Sequence, residues 1–347
     1  MEMEVEDAHY RVYVGVDVAA ETFTAAWLVP GGKPTTPFTS EQTPAGFAAL
    51  RHRLQGTGSP LSATLVVLEA TGNYWVALAV ALHEAGCRVA VINPRQAHHF
   101  AKAQLRRAKT DALDARDLAQ LAATLRPAPW SPPPAVYHEV RQRLVARDGL
   151  LAMRTQARNQ RHALLQWPVV VAAVRQHLDE LITDLDRRIA ALEAEIGTVL
   201  KESVWAESLA CLRSAPGIGL VTASWLLVGT LNFALCDGPE SLTAYAGLAP
   251  VPRESGRSVR SRPSIGHDGN GRLRTAFYMA TLSAARYNPA ISAFYQRLRA
   301  AGKPPKVARC AAARKLLHQA WALGSKLQRF DPDHKQQQHE VLPELAA

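Results

Sequence analysis

From Arg11 to Val18 the chain reads RVYVGVDV, rich in Val and Tyr and alternating well enough to predict a β-strand. TFTAAWLV (22–29) follows a short polar turn and predicts its hairpin partner. TPAGFAALRHRL (43–54) shifts to helical spacing, with Thr43 placed to cap the helix ahead of Pro44. ATLVVLEA (63–70) is a short continuous apolar run, the pattern of a buried central strand. YWVALAVALHEAG (74–86) predicts a helix stopped at Gly86, and CRVAVIN (87–93) another strand. A strand–helix–strand unit needs a parallel crossover and so implies an α/β sheet. Two more helices are predicted, at about 95–107 and 111–125.

PAPWSPPP (127–134) interrupts this pattern, because proline continues neither a ladder nor a helix. Beyond it the spacing becomes helical. Leu178, Ile182, Leu185, Ile189, Leu192, Ile196 and Val199 recur at alternating intervals of four and three, an unbroken heptad seam. With 137–165 that seam makes either a helical hairpin or a coiled coil with another subunit, and the spacing is the same for both. The expected organisation is an α/β domain over 1–126, a Pro-rich linker over 127–136 and a helical hairpin or coiled-coil assembly region over 137–205. A basic, mostly helical domain follows over 206–330, then a polar tail over 331–347.

The chain has 347 residues, 48% hydrophobic and 20% charged, which excludes wholesale disorder and allows a sizeable core. Its four cysteines are far apart with no CxxC pair, which argues against a zinc knuckle or disulfide framework. No eighteen-residue uncharged run offers a membrane span. The start, MEMEVEDAH, is acidic where a secretory leader is basic and then apolar, so a cytoplasmic protein is expected.

Charge is distributed unevenly. Of a net +10, residues 250–330 contribute +14, with sixteen Lys and Arg against Glu254 and Asp268 alone. Such a segment is the footprint of a polyanion binder. Arginine makes up 31 of the 40 basic residues, which suits bidentate phosphate contacts, so nucleic acid is the expected partner. PGIG (216–219) is read equally as a phosphate-capping turn or a structural one. Tyr74, Trp75, Trp205 and Trp225 could stack on bases, although scattered aromatics more often belong to a core.

Asp17 lies in the predicted first strand between two valines, and Glu69 closes the apolar strand LVVLE. A carboxylate in an apolar strand is costly unless paired, hydrogen-bonded or holding a metal. Two acids near the strand ends of one α/β sheet can converge where such folds place ligands. In AKTDALDARDLAQLA (108–122), Thr110 is a plausible N-cap, and Asp111 and Asp114 share one helical face, as do Asp114 and Asp117. The helix dipole accounts for Asp111 but less well for a same-face pair of like charges. Oxygen-only clusters suit Mg²⁺ or Mn²⁺, and two such ions can clamp both oxygens of a phosphodiester displacement.

An acid in strand one, Glu69 after it and the DALDA pair on a later helix resemble the RuvC-like, ribonuclease-H-fold nucleases. More closely, the chain resembles the DEDD transposases of insertion-sequence family one-ten, the bridge-RNA-guided recombinases. The resemblance rests on YVGVDVAAETFTAAW (13–27), on LEATGNYW to DARDLA (68–119), and on a C-terminal block from SAPGIGLVTASWLLVGT (214–230) through RESGRS to FYQRLRAAGKPPKVARCAAARKLL (294–317). It implies an N-terminal RuvC-like domain in which Asp17, Glu69, Asp111 and Asp114 hold Mg²⁺ or Mn²⁺, and a mostly helical C-terminal domain in which Ser255 is the nucleophile. It also implies a phosphoserine link to DNA, a guide RNA bridging donor and target DNA, and dimers pairing into a tetramer whose subunits can share a site.

The surrounding residues fit that expectation. A serine hydroxyl needs a base or metal to become a nucleophile. Arg253, Arg257, Arg260 and Arg262 flank Ser255, and Arg272 and Arg274 follow, all expected to contact nucleic acid. His267 is the sole nearby histidine, which gives a Ser-His triad little support. GHDGNGRLR (266–274) departs from the family's Lys-Arg-Gly-Asn and lowers the local positive charge. The alternatives are a junction resolvase or other metal-dependent nuclease without recombination, and a nucleic-acid-binding protein whose acids are structural.

Overall fold

The computed structural model describes residues 10–104, 111–255, 259–265 and 269–332, and of residues 111–113 and 251–264 the backbone alone. The chain divides into two compact units, Met1–Pro132 and Pro133–Ala347.

Unit one is built on a five-stranded sheet of β1 (Val12–Val18), β2 (Thr22–Leu28), β3 (Phe38–Glu41), β4 (Thr64–Glu69) and β5 (Arg88–Ile92), in the order β3-β2-β1-β4-β5. β1, β4 and β5 run parallel, while β2 is antiparallel to both β1 and β3. This mixed sheet, with α1 (Pro44–Gln55), α2 (Trp75–Glu84), α3 (Pro94–Ala103) and α4 (Asp111–Leu125), is consistent with a ribonuclease-H-like domain. Thr43 caps α1 as its spacing predicts, its hydroxyl accepting from the Gly46 amide at 3.2 Å. β3 has no counterpart in the sequence pattern. Its four half-exposed residues are too few to show a period, and it exists because β2 offers an open edge.

Period two divides the sheet into two faces. Val12, Val14, Val16 and Val18 of β1 join Val66 and Leu68 of β4 beneath α1 and α2. Tyr13 of β1, Leu65 and Val67 of β4, and Ala90 and Ile92 of β5 pack against Leu118, Leu121 and Ala122 of α4. The Pro-rich linker is fastened to this unit. Trp130 N–H donates to the Val89 carbonyl at 2.6 Å, and its ring meets Trp75 edge-on at 5.5 Å.

Unit two opens with the long helices α5 (Ala135–Leu164) and α6 (Ala172–Lys201), which pack together as an antiparallel hairpin. The seam on α6 is sealed inside the chain: Ile182, Leu185, Ile189 and Ile196 are buried. Arg143, Arg147, Arg158 and Arg161 of α5 bond to Glu195 (3.0 Å), Glu193 (2.6 Å), Asp186 (3.0 Å) and Asp179 (2.8 Å) of α6, and Arg154 also pairs with Asp186. Of the two partners that the heptad spacing allows, this structure uses the internal one.

The helices α7 (Ala206–Ser214), α8 (Leu220–Thr230) and α9 (Pro239–Tyr245) lead to a two-stranded hairpin, β6 (Pro250–Ser255) and β7 (Val259–Ile265). Then come α10 (Gly271–Tyr287), α11 (Pro289–Ala300) and α12 (Pro305–Ser325). The expectation of a mostly helical domain holds, but Arg253, Glu254 and Ser255 of RESGRS lie in a β-strand, which the arginine-rich sequence did not signal. Within PGIG, Gly217 serves packing: it has φ +100, and a Cβ there would lie 2.5 Å from Ala284 Cβ of α10. Trp205 and Trp225 belong to this unit's core and Trp75 packs on unit one's, while Tyr74 is exposed. Among the described residues, no helix is long and apolar enough to cross a membrane.

Candidate functional site

The register of the two central parallel strands pairs Gly15 with Val67 and Val16 with Leu68. One residue further, Asp17 and Glu69 stand level at the carboxyl ends of neighbouring strands, about 5 Å apart along the hydrogen-bonding direction. Alternation puts both on the face covered by α4, opposite the buried Val16, Val18 and Leu68. Each is half-buried.

Gly15 determines how α4 meets this face. A Cβ built there would lie 2.1 Å from the Ala119 amide nitrogen and 2.2 Å from the Ala115 carbonyl oxygen, so the helix backbone rests directly on the glycine. The later residues Leu121 and Ala122 pack near Tyr13 and Leu65 at the start of the strands. The helix therefore runs against β1, and its first turns lie at the Asp17–Glu69 end. Asp114 is there, half-buried, and the positive end of the helix dipole favours an acid at that point. Asp111 opens α4; its side chain lies outside the described atoms, as do Thr110 and Arg257 entirely.

Two residues that the sequence reading passed over position the edge. Thr71 Oγ1 donates to Glu69 Oε1 at 2.9 Å and holds the carboxylate. Gln42 Nε2 donates to the Ala19 carbonyl at 3.3 Å and the Tyr74 carbonyl at 3.1 Å, tying the turn after β1 to the turn after β4. Gly15 was itself legible as a glycine inside a strand pattern, which often marks close approach of another backbone.

Carboxylate-only donors fit a hard divalent cation and not a thiolate- or imidazole-seeking one. Among the described residues, no three His, Cys, Asp or Glu side chains gather closely enough to hold a metal ion. Sheet and helix thus bring Asp17, Glu69 and Asp114 to one end of one face without closing them into a cage. Cysteine chemistry has no support: burial raises all four thiols, Cys87 to about 11.

In unit two, Ser255 is the last residue of β6 and pairs with Val259, while Glu254 pairs with Arg260 and Arg253 with Ser261. The backbone thus places the serine in the last strand pair before the hairpin connection, on strands that also carry Arg262. Arg272 in the first turn of α10 pairs with Asp148 of α5 at 3.3 Å and stacks on Trp225 at 4.9 Å, so part of its charge is used within the chain. Arg274 is half-buried one helical step on.

The chain matches two family descriptions, "Transposase" of the DEDD IS110 type over residues 14–167 and "Transposase IS116/IS110/IS902 family" over residues 209–296. It is 30% identical over 324 residues to the pilin gene-inverting protein of Moraxella bovis, covering 92% of this chain and 98% of the relative. The protein of the same name from Moraxella lacunata is 31% identical over 326 residues, with the same coverage. The uncharacterized 43.6 kDa protein of insertion element IS110 from Streptomyces coelicolor is 23% identical over 365 aligned positions, covering 84% of this chain and 88% of the relative.

Proposed function

Because the chain belongs to the IS116/IS110/IS902 family of transposases, DNA-cutting and rejoining enzymes of insertion elements, we propose that it recombines DNA with four carboxylates in unit one and a serine in unit two. The observation that carries this reading is the level placement of Asp17 and Glu69 on the face onto which Gly15 admits α4, with Asp114 at the same end. Asp17, Glu69, Asp111 and Asp114 would hold Mg²⁺ or Mn²⁺. When bound, the ion supplies charge neutralisation on the reacting phosphate and lowers the pKa of an attached hydroxyl.

The chain's own residues do the rest. The Ser255 hydroxyl gives up its proton and attacks phosphorus. The bond from phosphorus to the leaving strand oxygen breaks, that oxygen takes up a proton, and a phosphoserine ester remains. Reversal with a different strand oxygen rejoins the DNA. Arg253, Arg257, Arg260 and Arg262 neutralise non-bridging oxygens as charge builds. Thr71 keeps Glu69 aimed, and Gln42 keeps the two loops together. Site choice by a bridging guide RNA, action as a dimer or tetramer, and residence in the cytoplasm at the nucleoid complete the proposal.

Substitution tests the assignment. Asp17→Ala, Glu69→Ala, Asp111→Ala, Asp114→Ala and Ser255→Ala should each abolish excision and insertion while DNA is still retained. Gly15→Ala, which leaves every acid in the sequence, should abolish them too by lifting α4 off the sheet. A phosphoserine adduct on nicked DNA, mapped to Ser255 by mass spectrometry, is the positive result. Normal recombination by Ser255→Ala would instead favour hydrolysis by metal and water. Chelation should stop the reaction and Mg²⁺ restore it.

A further inference from the structure

Where α10, α11 and α12 meet, they enclose a concave pocket of about 370 Å³. Arg286 from α10 and Arg309 from α12 line it, and Tyr295 and Gln296 of α11 present a phenol and an amide. The lining holds no carboxylate to compete for the arginines, and the Thr281 hydroxyl on its floor donates to the Tyr278 carbonyl at 2.6 Å. Leu282 adds an apolar wall.

Counter-charge is what this pocket lacks. Residues 271–325 contain ten Lys and Arg and no Asp or Glu. Other cations nearby are braced by an aromatic ring: Lys315 Nζ lies 4.6 Å and Arg297 Cζ 5.3 Å from the centre of Phe294. Among the described residues, Arg286 and Arg309 have neither an acid nor a ring. Two arginines lining one concave pocket that has no carboxylate in its lining favour an anion between them, and water screens charge less in a hollow than on an open surface. The planar forks of arginine match the paired oxygens of a phosphate, and a phenol and an amide add neutral donors.

We infer that the pocket between α10, α11 and α12 seats a phosphodiester group of a nucleic-acid backbone, gripped by Arg286 and Arg309. Leu282 would lie against the adjoining sugar. This seat is separate from the arginines flanking Ser255 and positions the polymer without reading its bases. The inference rests on the reading of the chain as a nucleic-acid-rejoining enzyme.

Fluorescence anisotropy on the full chain tests it, with a random-sequence DNA duplex and a structured RNA hairpin as separate probes. Arg286→Ala with Arg309→Ala should weaken retention of one or both probes roughly tenfold. It should also lower the slope of log affinity against log salt by about one to two. Arg286→Lys with Arg309→Lys keeps the charge and loses the forks, so it should recover the salt slope but only part of the affinity. The probe that responds identifies DNA or RNA as the source of the phosphate. Circular dichroism checks folding, and Arg187→Ala on the hairpin is the control that should change nothing. Strong retention by the wild type with both double variants unaltered overturns the pocket assignment and leaves the enzyme reading standing. Failure of the wild type to hold either probe counts against both.

Discussion

The α5–α6 hairpin and the α10–α12 bundle each carry ten Lys and Arg, yet the two differ in almost every physical consequence. The hairpin helices also carry eight Asp and Glu, and Arg143, Arg147, Arg154, Arg158 and Arg161 pair crosswise with them, which sets the register of one helix against the other. The bundle has no acid between 271 and 325; Arg272 borrows Asp148 from α5, and most of the bundle's positive charge has no carboxylate within the bundle to answer it. Arginine content by itself therefore says little about nucleic acid. The informative quantity is positive charge left without local compensation, because only that charge gains from a polyanion and from the counterions it releases.

The largest expected effect comes from exchanging the two sets. Changing Arg297, Arg299, Lys303 and Lys306 together to Gln should cut DNA affinity on the order of a thousandfold at moderate salt and lower the salt slope by about three. The matched hairpin set, Arg147, Arg154, Arg158 and Arg161 to Gln, should leave the salt slope unchanged and lower the melting temperature. Anisotropy titrations across salt, with thermal melts, separate the two. Equal losses of affinity from both sets would end the distinction. Next in size is the hairpin's apolar seam. Ile189→Ala removes a side chain that is 5% exposed and should cost about 2–5 kcal/mol in urea unfolding, with DNA affinity held within twofold. A large loss of affinity without loss of stability would show that the hairpin itself touches nucleic acid.

The same contrast shows what a linear sequence can and cannot reveal here. Period-two alternation finds β1, the short polar turn after it marks β2 as its partner, a continuous apolar run finds β4, and β5 follows as the strand after the crossover helix. The even positions of β1 are those that pack under α1 and α2, leaving Asp17 on the other face. The heptad seam was visible residue by residue. Its partner was not, because an α5 of the same chain and an α6 of another satisfy the same spacing; the crosswise Arg–acid pairs decide it only once both helices are placed. β3 and the β6–β7 hairpin escaped because neither is an apolar run: one is four residues long, and the other alternates arginine and serine, which reads equally as loop. At the candidate site, the acids were legible as charge in apolar strands, and Gly15 as a strand glycine that admits another backbone, but nothing in the sequence names α4 as the element it admits. Thr71 acts through a hydrogen bond to the Glu69 carboxylate and Gln42 through bonds to loop carbonyls, which no spacing rule encodes.

Acid should resolve the two regions by the smallest effect. Hydrogen bonds from Arg161, Arg188 and Arg154 hold Asp179, Asp184 and Asp186 below the ordinary carboxylate value. A carboxyl depressed in the folded state stabilises it above its unfolded pKa of about 3.9 and loses that contribution as pH falls through the lower folded value. The bundle has no carboxyl to lose. Each region also holds one histidine lowered chiefly by burial, His138 on α5 beside Arg141 and His318 on α12 beside Arg314, with Glu240 opposing at His318. A histidine depressed by folding favours the neutral ring, so both regions should soften as pH drops below about 6.5. Below about 4 they should part: amide exchange should accelerate along α5 and α6 and stay level along α10, α11 and α12. The difference should be modest, because the three aspartates are exposed and salt screens their pairs. Parallel acceleration in both regions below pH 4 would mean that the crosswise pairs do not hold the hairpin, and the contrast between compensated and uncompensated arginine would then rest on binding alone.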